Sequence, residues 1–284
     1  MQKLNKFTAF AGYKFSPLLH KVVYKSMRKK PIEAIELKKA SVISHRDLTD
    51  IHFVAHRGLS GVNPENTLPS FRAAAEHGGF YGIECDTYLA KDGEWMIVHD
   101  PNLDSLYNGE GDVRDYTKDE LQSLKMLRGA NIGMNLDVKM CTLQDYVDIC
   151  KKAGCRPVIE IKDDRIETIP SFYEFLKKND ILKSAVIISF VIEDLRALHK
   201  IDPELEMWYL VNYLDTKRIQ WAVEAGCKGM DFSAVFNACR PDWIKKVLDA
   251  GLVAACWTVD DADGLEAMLS AGVTVITTNS ILPE

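Results

Sequence analysis

Three carboxylates, two histidines and two basic residues stand at spacings that suit metal-assisted chemistry on a phosphoryl group. Glu84 and Asp86 flank Cys85 in the apolar run Gly82–Leu89. In an extended strand, residues i and i+2 share a face. Glu84 and Asp86 therefore project together while Cys85 points away. Glu160 and Lys162 repeat the arrangement at the end of the run Pro157–Ile161, with Ile159 and Ile161 opposite. Carboxylates converging from neighbouring strands repel strongly at low dielectric, and a divalent cation removes the conflict. An all-oxygen ligand set suits Mg²⁺ or Ca²⁺, with Mn²⁺ acceptable to the same groups. Zinc would more usually recruit histidine nitrogen or cysteine sulfur. Arg57 and Lys162 offer positive charge to phosphate oxygens. His56 and His99, near neutral pKa, can divide the duties of general base and general acid. A metal and two cations would stabilise the charge of an in-line displacement.

These residues must be brought together by the elements that carry them. After Asp50, short apolar runs alternate with stretches of helical spacing. The candidate strands are His52–Ala55, Gly82–Leu89, Pro157–Ile161, Ala185–Ser189, Glu206–Val211, Gly229–Phe232, Leu252–Trp257 and Val273–Thr277. Between them, Ser70–His77, Thr142–Lys152, Ile192–Ile201, Thr216–Ala225, Pro241–Ala250 and Ala262–Ala271 read as helices. Gly226, Gly251 and Gly272 follow three of these helices, where a C-cap favours glycine. Eight strands alternating with helices predict an α/β fold, a TIM (β/α)₈ barrel; an open doubly wound sheet is the alternative. No GxGxxG follows the first strand, which weighs against a dinucleotide site.

Two segments break the rhythm. Residues 101–140 form a small insertion after strand 2, rich in turn signals such as Asn108-Gly109. It reads either as an excursion over the barrel rim or as a packing appendage. Residues 1–50 form an N-terminal extension ahead of a barrel domain at 51–284. The extension holds eleven Lys/Arg against four Asp/Glu, whereas the rest holds twenty-four against thirty-seven. Phe15, Leu18, Leu19, Val22, Val23 and Met27 make an apolar stripe at helical spacing, accompanied by Lys14, Lys21, Lys25, Arg28, Lys29 and Lys30. Such a helix either docks on the barrel, which has little room for an eighth helix after Thr278, or lies on an anionic membrane surface.

Bulk composition narrows the class. A net charge of −6 over 284 residues weighs against a nucleic-acid-binding chain. The seven cysteines (Cys85, Cys141, Cys150, Cys155, Cys227, Cys239 and Cys256) are odd in number, contain no CxxC pair and fall partly in apolar runs. They predict buried thiols in a reducing compartment. With no apolar run near the roughly 18 residues of a membrane span and no secretory leader, the expectation is a soluble cytoplasmic protein.

The segments AHRG, PENTLPSF, GIECDTYLAKDG, MIVHDPNLD, VIEIK and CWTVDD, in this order from Val54 onward, resemble the successive motifs of the glycerophosphodiester phosphodiesterase family. Each motif alone is weak; six in order are specific. The resemblance implies a TIM barrel that hydrolyses glycerophosphodiesters to glycerol 3-phosphate and an alcohol, with a carboxylate-bound divalent cation. It places metal ligands on Glu84, Asp86 and Glu160, acid/base histidines on His56 and His99, and phosphate-binding cations on Arg57 and Lys162. It also places Glu65 and Asn66 near metal or substrate and makes Trp257 a pocket wall. Read without it, Glu65-Asn66-Thr67 is a helix start, Trp257 is core packing and Asp260-Asp261 is a helix cap. The resemblance further implies attack by the glycerol hydroxyl, giving a cyclic phosphate that water opens; direct attack by water stays open. Three departures touch the rim: HDPNLDSLYN lacks the family's arginine and paired threonines, Met140-Cys141-Thr142-Leu143 replaces its pattern before the next helix, and Thr278-Asn279-Ser280-Ile281 lacks its proline. Two rivals remain, a related barrel acting on lysophospholipid or another phosphodiester, and a catalytically silent binding barrel. The latter would usually have lost a ligand or histidine, and all seven key positions are present.

Overall fold

The computed structural model describes residues 35–36, 48–134, 138–238 and 240–283. The proposed leader helix and its basic face lie outside the described residues. In chain order the strands are β1 (Ile35–Glu36), β2 (His52–Ala55), β3 (Gly82–Leu89), β4 (Trp95–Ile97), β5 (Arg156–Ile161), β6 (Val186–Ser189), β7 (Glu206–Val211), β8 (Gly229–Ser233), β9 (Val253–Trp257), β10 (Val275–Thr278) and β11 (Ile281–Leu282). The helices are α1 (Leu68–His77), α2 (Lys118–Ser123), α3 (Leu143–Ala153), α4 (Ile169–Lys178), α5 (Ile192–Ile201), α6 (Thr216–Glu224), α7 (Ala234–Asn237), α8 (Pro241–Asp249) and α9 (Ala262–Ser270).

Eight parallel strands run in the order β2-β10-β9-β8-β7-β6-β5-β3, and β2 pairs with β3 to close the ring. This is the TIM barrel that the alternating pattern predicts. Residue alternation divides each strand between two cores. Ile83, Cys85, Ile159, Ile187, Met207, Met230, Phe232, Ala254 and Ile276 face the helices. Val54, Val158, Val186, Ile188, Trp208, Leu210, Ala255 and Val275 fill the barrel interior. The interior is apolar toward the strand N-termini, which leaves the C-terminal mouth for polar groups. Gly229 accommodates Trp208 in this interior: a Cβ there would lie 2.7 Å from the indole Cδ1.

The insertion does not follow strand 2 directly. β3 first turns back through the antiparallel strand β4, with Thr87 opposite Ile97 and Leu89 opposite Trp95. The remainder has a core of its own, in which Leu103, Tyr107, Val113, Leu121, Met126 and Met140 pack on Tyr88, Met96 and Val98. Tyr88 is on the same strand face as Glu84 and Asp86, so this core sits above the barrel mouth. After β10, β11 pairs in parallel with β1 as a two-residue clasp. The six cysteines among the described residues are free thiols, all buried except the half-buried Cys155; Cys239 lies outside the described residues. No helix among the described residues is long and apolar enough to cross a membrane.

Candidate active site

The register of β3 against β5 sets Asp86 opposite Glu160 and Glu84 opposite Val158. One carboxylate oxygen from each of Glu84, Asp86 and Glu160 lies within 4.8 Å of the others, and all three residues are buried. Glu84 Oε1 and Asp86 Oδ1 meet no hydrogen-bond donor. Buried acceptors without donors are costly, and their convergence suits a hard divalent cation with oxygen ligands. The protonation tendencies express the same conflict. Burial and then Asp86 raise the Glu84 carboxyl well above the carboxylate range. Burial pushes Glu160 up to about 7 against the pull of Lys162. Burial also opposes ionisation of Asp86, but Arg57, His99 and Lys162 outweigh it and hold that carboxyl below its usual range.

The basic groups are threaded among these acids. Arg57, in a left-handed conformation (φ 55°), donates its backbone N–H to Glu84 Oε2 at 2.8 Å. Its side chain lies between Glu65 Oε1 at 2.7 Å and Asp86 Oδ2 at 3.1 Å. Gly58, next in the turn (φ 76°), passes so close to α1 that a Cβ would fall 2.5 Å from the Ser70 carbonyl carbon. Asn66 also takes positive φ and donates from Nδ2 to Asp86 Oδ2 at 2.7 Å. Thr67, rather than Asn66, caps α1, in a reciprocal box with Ser70. Lys162 Nζ lies 3.0 Å from Glu160 Oε1 and 3.8 Å from Asp86 Oδ1. Burial opposes its charge, but Glu160 and Asp86 prevail and the ammonium is held firmly protonated.

Both histidines turn Nε2 toward this cluster. His99 Nδ1 is 2.6 Å from Asp100 Oδ1, and its Nε2 is 3.2 Å from Lys162 Nζ. His56 Nδ1 is 2.8 Å from Asn279 Oδ1, and its Nε2 is 4.0 Å from Glu84 Oε2. Asn279 is itself fixed. Its Nδ2 donates to Asp260 Oδ2 at 2.6 Å and its backbone N–H to Asp260 Oδ1 at 2.7 Å. An ionised carboxylate only accepts, so the Asn279 amide cannot turn over, and its Oδ1 must face the imidazole. His56 therefore carries its proton on Nδ1 and presents an Nε2 lone pair to the site. Burial, reinforced by Arg57, pushes its pKa down to about 3, which keeps the ring neutral. Burial and Arg57 also lower His99.

All the residues singled out around the carboxylates (His56, Arg57, Glu65, Asn66, Glu84, Asp86, His99, Glu160 and Lys162) meet at one end of the barrel. Trp257 ends β9, paired with Ser233; it is half-buried, and its ring meets Phe190 edge to face at 5.8 Å. The expectation for Asp260 is corrected. Only Asp261 caps α9, accepting from Gly264 N, while Asp260 holds Asn279. Neither Asp260 nor Asn279 is legible as a site residue from spacing; the departure from the family pattern around Thr278-Asn279 is the nearest signal. Ser60, whose Oγ lies 2.8 Å from Asn279 Oδ1, gives no sequence signal at all.

A closed parallel barrel with convergent acids, imidazoles and basic side chains at its C-terminal mouth defines a class, the TIM-barrel phosphoric diester hydrolases. The sequence matches the glycerophosphoryl diester phosphodiesterase family over residues 56–282. The chain belongs to that family. It is 30% identical over 231 residues to a glycerophosphodiester phosphodiesterase of Caldanaerobacter subterraneus, covering 80% of this chain and 93% of that protein. It is 27% identical to the Bacillus subtilis enzyme of the same name, covering 80% of this chain and 82% of the other. Among solved structures, a phosphodiesterase of Oleispira antarctica in complex with sn-glycerol-3-phosphate superposes with a TM-score of 0.74 at 24% identity, covering 81% of this chain and 93% of that one. A glycerophosphodiester phosphodiesterase of Parabacteroides distasonis gives 0.68 at 28% identity, covering 80% and 92%.

Proposed function

We propose that the chain hydrolyses glycerophosphodiesters to glycerol 3-phosphate and an alcohol. The observation that carries this is the convergence of Glu84, Asp86 and Glu160, two of them with donorless oxygens, beside two imidazoles, with His56 Nε2 4.0 Å from Glu84 Oε2 and His99 Nε2 3.2 Å from Lys162 Nζ. Glu84, Asp86 and Glu160 would hold one Mg²⁺ or Ca²⁺. When bound, that ion supplies charge stabilisation at phosphoryl oxygens. Arg57 and Lys162 bind the phosphate, and Lys162 joins His99 to the carboxylates. Glu65 orients the Arg57 guanidinium and Asn66 orients Asp86. His56 acts as general base, since its Nε2 has a lone pair at neutral pH, and takes the proton of the attacking hydroxyl. His99 acts as general acid toward the leaving alkoxide: in the resting site Asp100 accepts from its Nδ1–H and its Nε2 accepts from the Lys162 ammonium, so Nε2 gains the proton it delivers only once Lys162 turns to the phosphate. Trp257 forms the wall beside the leaving alcohol. The attacking hydroxyl is that of the substrate glycerol, and a cyclic phosphate opened by water follows.

Release of glycerol 3-phosphate from glycerophosphocholine, measured with Mg²⁺ or Ca²⁺ and with excess EDTA, tests the reading. Metal-dependent release is expected. No release with any divalent ion, or undiminished release in EDTA, would refute it.

A further inference from the structure

Among the described residues eight large apolar side chains are exposed, and they are not evenly scattered. Ile201, Val223 and Leu248 stand singly in the last turns of α5, α6 and α8, at the end of the barrel away from the mouth. The other five lie around the mouth. Leu127 and Met134 belong to the insertion, Ile166 to the connection after β5, Phe190 follows β6 and Val235 follows β8. A single exposed apolar residue needs no explanation, but several on one rim do.

The insertion makes the most prominent part of that rim. Its segment 126–134 leans on the loop that carries Glu65 and Asn66. Asn131 Nδ2 donates to the Val62 carbonyl at 3.0 Å, and a Cβ on Gly129 would lie 3.0 Å from Pro64 Cβ. Met126 and Ile132 join the insertion core, whereas Leu127 is 55% and Met134 83% exposed. Over residues 121–134 the only charged residues are Lys125 and Arg128, both exposed. Arg128 donates to the backbone carbonyls of Asp104 and Ser105 rather than to their side chains. Exposed apolar side chains flanked by cations suit the headgroup region of an anionic bilayer.

The chain ahead of β1 joins the barrel from the same side. β11 starts two residues after Asn279, which stands at the mouth. Just beyond β11, the Pro283 carbonyl lies 2.9 Å from Nε2 of His77, the last residue of α1, toward the opposite end of the barrel. β1 runs parallel to β11, so its entry faces the mouth. The 34 residues before Ile35 hold eight Lys/Arg against one Asp/Glu and contain the apolar stripe from Phe15 to Met27.

We propose that the mouth rim docks on an anionic lipid bilayer. Leu127 and Met134 enter the headgroup region, while Lys125, Arg128 and the basic leader meet lipid phosphates. Residues 51–284 hold twenty-four Lys/Arg against thirty-seven Asp/Glu, so most of the body is repelled by such a surface. The cations of the rim and the leader therefore orient the molecule, and the carboxylate cluster opens toward the lipid.

The experiment is co-sedimentation of the full chain with vesicles of phosphatidylglycerol and phosphatidylcholine in equal parts. The native chain should pellet, and its partitioning should fall at least about tenfold on vesicles of phosphatidylcholine alone. Leu127→Glu combined with Met134→Glu should lower partitioning onto the mixed vesicles about tenfold, with the melting temperature and the hydrolysis of soluble glycerophosphocholine unchanged. Failure of the native chain to pellet, or equal pelleting of the double variant, overturns the proposal. Sedimentation velocity without lipid should give both proteins the same oligomeric state. A native dimer that the double variant splits would make the rim a contact between two copies and overturn the proposal as well. Vesicle binding is read without turnover, so its failure is distinguishable from failure of the glycerophosphodiesterase reading.

Discussion

Asp260 lies three residues beyond Trp257, and its carboxylate grips Asn279 through both the side-chain amide and the backbone N–H. That grip reaches His56 through a single hydrogen bond. Asn279→Leu removes the acceptor for His56 Nδ1–H and frees the ring to turn. We expect kcat to fall about 10- to 100-fold, part of the 10²–10⁴ that a positioned general base contributes, with KM little changed. Steady-state kinetics on glycerophosphocholine check this, and an unchanged kcat would remove Asn279 from the account. The residues around it differ in legibility. Glu84 and Asp86 can be read from sequence because i and i+2 on one strand share a face by geometry alone. Asp260 and Asn279 cannot, since their contact is made by adjacent strand ends 19 positions apart in the chain. Two aspartates ahead of a helix read as a cap, and only packing shows that one of them faces the other way.

At the scale of elements, α3 holds the two carboxylate-bearing strands together. Tyr146 Oη donates to the Ile83 carbonyl at 2.5 Å and accepts from Val158 N at 2.9 Å, one residue from Glu84 and two from Glu160. Tyr146→Phe should leave both buried backbone groups short of a partner and cost about 1–3 kcal/mol. Urea unfolding measures this; a loss under 0.5 kcal/mol would mean the strands need no such tie. The insertion clasps the barrel by a different kind of contact. Arg114 pairs with Asp112 and with Asp164, which follows Lys162 by two residues. The Asp164 side chain is 73% exposed, so the pair across the clasp is worth at most about 1 kcal/mol. Arg114→Ala should therefore lower stability by less than that, because the buried contacts of Leu103, Leu121 and Met140 carry the attachment. A loss of several kcal/mol in the same unfolding assay would reverse this ranking. Long periodic elements such as α5 and β7 match their sequence patterns end to end. The three-residue β4 has too short a pattern to show, and its pairing with β3 is decided by the tertiary fold.

For the whole molecule, the eight-strand rhythm was readable because every barrel strand needs one face for the helices and one for the interior. The mouth is where that rule breaks, with acids placed at interior positions. The barrel should therefore be more stable with its ion than without. A cation bound only by the folded state, at one hundred times its dissociation constant, adds about 2.7 kcal/mol, a rise in Tm of about 5–10 °C for a chain of this size. Thermal melts with and without Mg²⁺ or Ca²⁺ should show that rise in the native protein and lose it in Glu160→Gln. An equal rise in both would place the ion elsewhere. The most direct measurement is an anomalous difference map from crystals soaked in Mn²⁺. The account predicts a single strong peak enclosed by Glu84, Asp86 and Glu160; a peak at another site, or none between these three side chains, would contradict it.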